Sequence, residues 1–254
     1  MTEPRERVRV VSLLPDVLDE EKAIATVDEL VAAGGGYVCF STVHMVMEGH
    51  DDRGFAGVVN AADMIVTDGM PIVWMQRLQG KRDANRIRAN DLMMSLCGHA
   101  EEKNLKVGFY GGQPAVIDAI VNRAKIDFPK LQVVYAYSPP FRTLTEEEDG
   151  HIIEEIKRTK PDLLFVGLGC PKQERWMHAH TGNSKAVMLG VGASFDFFAG
   201  NVRESPAWLG RLGLEWLYRL IQEPGRLWRR YLVLSPRFIV LAAGQLLRRK
   251  DDRV

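Results

Sequence analysis

Short apolar runs alternate with segments of helical periodicity through the first two-thirds of the chain. Tyr37–Ser41 and Lys106–Tyr110 are typical of buried strands, whereas Asp19–Ala33 has acidic residues at its start and apolar residues at helical spacing. The pattern predicts further strands at Asp63–Thr67, Leu131–Tyr137, Pro161–Gly167 and Lys185–Gly190, after a short valine-rich run at Val8–Leu14. It predicts further helices at Asp91–Lys103, Gln113–Phe128, Thr145–Thr159 and Pro171–Ala179. We therefore expect an α/β fold with a mostly parallel, Rossmann-like sheet and helices on both of its faces.

The carboxyl ends of these strands carry residue types that are suited to ligand binding. In open parallel sheets, ligands bind in the crevice beyond those ends. The residues that fall there are Asp68, Gly111, Gly112, Gly169–Glu174 and Gly190–Asp196. We expect the functional site to be built from them.

The character of the chain changes after about Asn201. Residues 203–254 hold eleven Lys and Arg against five Asp and Glu, a local net charge of +6, and three of the five tryptophans. Two apolar stripes at helical spacing, within Leu214–Ile221 and Leu227–Leu234, are interleaved with arginines. We therefore divide the chain into an α/β core at residues 1–200 and a basic helical appendage at residues 201–254. A basic amphipathic segment is typical of a membrane-surface or partner helix, and a helical layer packed on the sheet explains it equally well.

Composition narrows the class of protein. The 254 residues include 33 basic and 33 acidic side chains, so the chain as a whole is not a polycation for nucleic acid. Three widely spaced cysteines fit neither a disulfide framework nor a metal pattern, which indicates a reducing compartment. The N-terminus lacks the apolar core of a signal peptide, and the apolar stretch Phe238–Leu247 is about half the length that a membrane span needs. We expect a cytoplasmic protein that is soluble or peripherally attached.

The segment Thr67–Pro71 places a carboxylate on a tight turn at a strand end. From that position Asp68 can reach into the crevice and act as a general base. The alternative is an Asx-type turn, in which Asp68 only organises the backbone.

The segment Leu168–Trp176 is denser in candidate chemistry. Pro171 is expected at the first helical position, so the first turn would carry a cation and an amide that can meet a diphosphate or sugar hydroxyls. A solvated helix start is the alternative. Cys170 is disfavoured as a nucleophile because the sequence offers no histidine partner for it.

Two glycine-containing turns complete the set. Gly111 and Gly112 would let backbone N–H groups approach a phosphate, and a plain loop explains them as well. In Gly190–Asp196 small residues permit close approach of a ligand, and Asp196 is suited to bind ribose or sugar hydroxyls. The alternative there is a packing turn in which Asp196 serves as a cap.

No metal site is expected. The six histidines form no ligand pattern, and no Asp-x-Asp triplet occurs in the chain. If the crevice binds a diphosphate, its negative charge would then be neutralised by Lys and Arg side chains and by helix N-termini.

Taken together, these segments resemble the WecG/TagA/CpsF glycosyltransferase family. The matching segments, in family order, are Thr67–Pro71, Asp91–Met93, Phe109–Gly112, Gly167–Trp176, Gly190–Gly200 and Gly213–Pro224. The resemblance implies an inverting, metal-independent enzyme with a UDP-sugar donor, a polyprenyl-diphosphate-linked sugar acceptor and no cofactor. It also implies attachment to the inner face of the plasma membrane and a capacity to self-associate.

The resemblance implies roles for individual residues. Asp68 is the expected base, Gln173 an active-site amide, and Arg203 a catalytic arginine supplied by the appendage. The expected substrate-binding residues are Ser41, Thr67, Arg88, Asp91, Gly111, Gly112, Lys172, Glu174, Gly192, Asp196, Arg219 and Arg226. Cys39–His44 and Arg86–Asp91 depart from the family pattern, so the identities of donor and acceptor are not carried over.

Three other functions are alternatives to the transferase. A non-catalytic UDP-sugar-binding module with a partner-docking tail would bind the nucleotide without turnover. A nucleic-acid binder is disfavoured by the neutral charge and by the lack of a recognised motif. A dehydrogenase is disfavoured because no Gly-x-Gly-x-x-Gly opens a βαβ unit.

Overall fold

Six parallel strands form the centre of the fold in the computed structural model, which describes residues 5–202, 209 and 215–251. They are β1 Gly36–Ser41, β2 Met64–Thr67, β3 Lys106–Gly111, β4 Gln132–Tyr137, β5 Leu163–Gly167 and β6 Val187–Gly190. Their order across the sheet is β2-β1-β6-β5-β3-β4, and every paired strand is parallel to its neighbour. The predicted α/β fold is confirmed.

Helices surround this sheet. Those of the first 200 residues are α1 Glu20–Ala33, α2 Val43–Asp51, α3 Arg53–Asn60, α4 Met70–Leu78, α5 Ala89–Lys103, α6 Pro114–Asp127, α7 Glu146–Thr159, α8 Lys172–His180 and α9 Ser194–Phe198. The C-terminal part contains α10 Glu215–Gln222, α11 Pro224–Arg229, a π-helical segment Arg230–Leu234 and α12 Ser235–Asp251. The division into residues 1–200 and 201–254 stays a prediction.

Local signals explain where several helices begin. Asp19 caps α1 by accepting the N–H of Lys22, and Gly34 ends it in a left-handed conformation. Thr145 and Glu148 form the predicted capping box at the start of α7. These interactions act between close neighbours in sequence, so the pattern of residue types reveals them.

Two parts of the N-terminal region differ from the prediction. The segment Val8–Leu14 is not a strand of the sheet; Val10 and Leu13 exchange two backbone hydrogen bonds of 2.8 and 3.2 Å in a tight turn. Helices α2, α3 and α4 were not predicted. Thr42 caps α2, Asp52 caps α3, and α4 begins directly after Gly69. All three helices are too short to show a clear periodic stripe of apolar residues.

The apolar core lies on both faces of the sheet. One buried cluster packs α1, α5 and α6 against the sheet, and the other packs α2, α3 and α7 against the opposite face. Phe238 and Ala242 of α12 belong to the second cluster. The C-terminal helix is therefore docked on the α/β core by one of its faces.

The outer face of that helix is apolar as well. Among the described residues, Leu227–Arg248 forms one continuous helix of 22 residues, and an 18-residue window within it has a mean hydropathy of 1.2, so it is long and apolar enough to cross a bilayer by length and composition alone. The apolar segment is longer than the stretch Phe238–Leu247 noted in the sequence, because the helix continues on the N-terminal side of Phe238. The same helix is bonded to the core, since Gln245 donates to the backbone oxygen of Arg9 and accepts from the N–H of Val11.

Close packing at the end of β5 gives a testable prediction. A Cβ atom at Gly167 would overlap the ring of Phe195, which anchors α9 beside the sheet. Gly167→Ala should lower the free energy of unfolding by about 1–3 kcal/mol, because this overlap can be relieved only by moving α9. Chemical denaturation measures the change.

The control is Gly150→Ala in the exposed middle of α7, where an added Cβ meets no atom within 4 Å. It should raise stability by up to about 1 kcal/mol through helix propensity. Equal stabilities for the two variants would contradict the packing assigned to Gly167.

Candidate active site

The sheet brings the predicted site segments to one edge. Because all strands are parallel, the residues that follow β1, β2, β5 and β6 emerge on the same side. The turn after β2 is tied to β1, since the backbone N–H groups of Asp68 and Gly69 donate to the carbonyl of Ser41 at 3.0 and 3.2 Å. This edge forms the crevice in which a ligand would bind.

The backbone of Asp68 is held in place at the strand end, and its side chain is partly exposed there. Its side chain is 23% exposed, and Oδ1 lies 3.8 Å from Nη2 of Arg86. Arg86 also donates from Nε to the backbone oxygen of Asp68 at 2.6 Å. A carboxylate that is partly exposed beside an arginine remains able to accept a proton from a bound hydroxyl group.

Gln173 joins three parts of the site through one amide. Its Nε2 donates to the carbonyl of Gly190 at 2.7 Å and to Oε1 of Glu174 at 2.8 Å. Its Oε1 accepts the N–H of Gly169 at 3.1 Å. Only 4% of Gln173 is exposed. The amide therefore connects the loops that follow β5 and β6.

The start of α8 differs by one position from the prediction. Pro171 is the residue that precedes the helix, and Lys172 is its first residue. Lys172, Gln173 and Glu174 still form the first turn, as predicted. The helix starts at Lys172 because Pro171 has a φ of −92° and a ψ of 3°, which is not a helical backbone conformation.

Glu174 is a fully buried carboxyl group. Burial raises the pKa of Glu174 to about 7, and the hydrogen bond from Gln173 opposes this shift. Its Oε2 is buried and has no hydrogen-bond partner among the described residues. The structure places Glu174 behind the crevice wall, whereas Lys172 is exposed with its Nζ 5.4 Å from the ring centre of Phe141.

Cys170 precedes α8 and is a poor nucleophile in this structure. Burial raises the pKa of its thiol far above the usual value, and the neighbouring Glu174 raises it further. The thiol is therefore protonated at neutral pH, which agrees with the sequence-based view of Cys170.

Arg230 was not among the predicted residues, and it lies at the crevice. Its Nη2 donates to Oγ1 of Thr42 at 3.2 Å. Burial lowers its pKa, and the charges around it include those of Arg219 and Asp68. Arg230 begins the π-helical segment, and nothing in the periodicity of the sequence reveals that local change of helix type.

Arg230 also affects its neighbour His44. Burial and then the positive charge of Arg230 lower the pKa of His44 to about 4. His44 is therefore neutral at physiological pH, and Arg230 supplies the positive charge on this side of the crevice.

The other predicted arginines have different positions. The guanidinium carbon of Arg219 lies 5.3 Å from the ring centre of Phe197. Phe197 directly follows the Gly190–Asp196 segment and belongs to α9. Its Nε is buried without a hydrogen-bond partner among the described residues. Arg203 and the side chain of Arg226 lie outside the described residues, so their predicted roles stay predictions.

Four of the predicted substrate-binding residues are buried or interact with other side chains of the chain. Thr67 is buried and its hydroxyl donates to Oε1 of Gln76 at 3.3 Å. Ser41 is fully buried, and its hydroxyl has no hydrogen-bond partner in the described part of the chain. At the start of α5, Nη1 of Arg88 lies 3.4 Å from Oδ1 of Asp91. Thr67 and Ser41 thus contribute mainly through their backbone and packing.

The glycine-containing turns after β3 and β6 pack closely against their neighbours. A Cβ at Gly111 would lie 2.6 Å from the backbone of Gly167, whereas Gly112 is exposed at a φ of +68°. A Cβ at Gly192 would come within 3.4 Å of the Gln173 amide. Asp196 lies in α9, and its carbonyl accepts the N–H of Asn201 at 2.9 Å.

Among the described residues, no group of three or more His, Cys, Asp or Glu side chains is arranged to hold a metal ion. In the described part of the chain, positive groups near the crevice include the side chains of Arg86, Arg230 and Arg219 together with the N-terminus of α8. Such an arrangement favours the binding of an anionic ligand.

Comparison of the sequence with known proteins identifies the family. The model of the glycosyl transferase WecG/TagA/CpsF family matches residues 8–252. An N-acetylglucosaminyldiphosphoundecaprenol N-acetyl-beta-D-mannosaminyltransferase of Bacillus subtilis (strain 168) is 37% identical over 185 residues, covering 71% of this chain and 69% of the relative. Proteins of the same name from Bacillus spizizenii and Staphylococcus aureus (strain MW2) are 34% and 29% identical, covering 81% and 79% of this chain and 77% and 74% of the relatives. The chain belongs to the WecG/TagA/CpsF family and is a glycosyltransferase.

Proposed function

We propose that this glycosyltransferase moves a sugar from a UDP-sugar to a sugar on a polyprenyl diphosphate, with inversion at the anomeric carbon. The position of Asp68 at the strand end, beside Arg86 and close enough to interact with the charge of Arg230, is the observation that carries the proposal. The names of the relatives support the class of acceptor, since they act on an N-acetylglucosaminyldiphosphoundecaprenol and transfer N-acetylmannosamine. Such a reaction belongs to the synthesis of cell-envelope polysaccharides.

The chemistry is a single displacement. The acceptor hydroxyl oxygen attacks the anomeric carbon from the face opposite UDP, and Asp68 takes its proton. The new carbon–oxygen bond forms as the bond to the diphosphate breaks, and UDP leaves with the electron pair. General-base assistance of this kind contributes about 10²–10⁴-fold in rate.

The departing diphosphate is stabilised by fixed positive groups. Arg230 and Arg219 approach the crevice from the C-terminal segment, and Lys172 is an exposed cation at the first position of α8. We propose that these groups replace a divalent metal. Groups that are already oriented around the site need little reorganisation when the negative charge develops.

The outer face of the C-terminal helices is proposed to lie on the inner leaflet of the plasma membrane. Its exposed apolar side chains are Trp216, Leu217, Ile221, Trp228, Leu232, Val233, Ile239, Val240 and Leu247. Arginines lie among them, a combination suited to an anionic membrane surface. The lipid-linked acceptor would then reach the crevice without leaving the bilayer.

Removal of the proposed base tests the mechanism. Asp68→Asn should lower kcat by about 10²–10⁴-fold and leave UDP binding nearly unchanged, because the amide cannot accept the hydroxyl proton. UDP release and the anomeric configuration of the product, by NMR, are the measurements. The control is Asp83→Asn, an exposed residue of the same connecting segment.

A near-normal kcat for Asp68→Asn would exclude Asp68 as the base. UDP binding without turnover in the wild-type protein, with every donor and acceptor tried, would instead favour the non-catalytic module.

The role of Arg230 is tested separately. Arg230→Met should lower kcat/KM for the UDP-sugar by about 10²–10³-fold, since it removes a fixed charge from the leaving-group site. Arg237→Met is the control, because Arg237 forms an exposed ion pair with Asp51 and such pairs contribute little. Steady-state kinetics with equal losses in the two variants would argue against a specific role for Arg230.

A single charged substitution on the outer face of the C-terminal helices tests membrane attachment. Ile239→Glu should weaken binding to vesicles that contain anionic phospholipid by about tenfold or more, since burial of such a side chain is worth about 1.5–3 kcal/mol. Ile126→Glu on α6 is the matched control, because Ile126 and Ile239 are 75% and 64% exposed. Sedimentation that gives the same binding for both variants would show that the outer face does not contact the membrane.

A further inference from the structure

The resemblance implies that Glu174 binds substrate, but the reaction proposed above gives its buried carboxyl no task. It is completely buried at the third position of α8. One oxygen accepts a hydrogen bond from Gln173 at 2.8 Å. The other has no partner of normal hydrogen-bond geometry among the described residues, although the thiol of Cys170, a weak donor, is close enough to interact with the carboxyl. A buried acidic group with an unsatisfied oxygen is costly, so it is expected to serve a purpose.

Glu174 is the side-chain partner that orients the Gln173 amide. The two N–H bonds of that amide go to Gly190 and Glu174, and its oxygen takes the N–H of Gly169. Reversal of the amide would bring its oxygen against two acceptors and its N–H groups against a donor. Glu174 therefore helps to fix how the loops after β5 and β6 meet.

The surroundings of Glu174 favour its neutral form. The titratable groups that face it are the thiols of Cys39 on β1 and Cys170 before α8, and burial raises the pKa of both thiols. Beyond Cys170 lie Arg230 and Glu48, which act on that thiol. No positive side chain is among the groups that influence Glu174.

We propose that Glu174 is a positioning residue which, in its neutral form, holds the Gln173 amide and thereby the two crevice loops in the geometry that binds the sugar donor. This inference rests on the proposed function. Ionisation would place an uncompensated negative charge behind the wall of a crevice that binds a diphosphate. Donor binding should therefore weaken as the proton is lost.

The sign of the pH dependence follows from the raised pKa. Because burial raises the pKa of Glu174 to about 7, the neutral form predominates below pH 7 and is lost above it. In the wild-type protein, kcat/KM for the donor should decline above pH 7, approaching about tenfold per pH unit. Glu174→Gln cannot ionise, so its profile should stay flat through this range.

Two substitutions separate positioning from packing. Glu174→Met keeps the apolar volume and removes the acceptor, so kcat should fall by about tenfold or more at every pH. Glu174→Gln retains an oxygen that can accept from Gln173 and should recover most of that loss. Glu154→Gln on the exposed side of α7 is the control and should keep the wild-type profile.

A readout that does not need turnover completes the test. The side-chain amide resonance of Gln173, assigned by its absence in Gln173→Met, should titrate near pH 7 in the wild-type protein and not in Glu174→Gln. Wild-type kcat and pH profile in Glu174→Met, or a Gln173 resonance that does not titrate while turnover is normal, would overturn the positioning role. A titrating resonance in a wild-type protein without acceptor-dependent turnover would overturn the proposed function, and the role in transfer with it.

Discussion

The side-chain amide of Gln173 is the interaction on which the site depends most. It spans the ends of β5 and β6, which are neighbours in the sheet, and connects both to the first turn of α8, the helix that joins the two strands. The close approach requires glycines, because a Cβ at Gly190 would lie 2.7 Å from Met177 and 3.1 Å from the amide nitrogen. A buried network with these bonds satisfied is rigid, and rigidity is what a site for charge stabilisation needs.

In the proposed account, the C-terminal helices complete the crevice that the sheet begins. One face of α12 packs on α2 and the core through Phe238 and Ala242, and this docking carries Arg230 to Thr42. The opposite face is apolar and exposed. In the proposed account one segment therefore has two tasks, because it brings positive charge to the donor and brings the enzyme to the leaflet that holds the acceptor.

Sequence reasoning predicted the elements whose signals are local. The capping box at Thr145, the glycine end of α1 and the strand ends at Asp68 and Gly190 were all identified, because each depends on residues close together in the chain. The short helices α2 to α4 were missed because they do not develop a periodic stripe.

The site was predicted in outline only. The sequence indicated Asp68 and Gln173 through the family resemblance, but the bond of Gln173 to Gly190 depends on β5 and β6 being neighbours in the sheet. Arg230 was missed because its position results from a π-helical turn and from the docking of α12. Thr67 looked suited to bind substrate, and its hydroxyl is bonded to Gln76 inside the core.

The most direct test of the central claim is UDP release from a panel of UDP-sugars in the presence of EDTA, with and without a short-chain polyprenyl-diphosphate sugar acceptor. The account predicts that one donor releases UDP at a rate that depends on the acceptor and is unaffected by EDTA. UDP release that does not respond to the acceptor, or that EDTA abolishes, would contradict it.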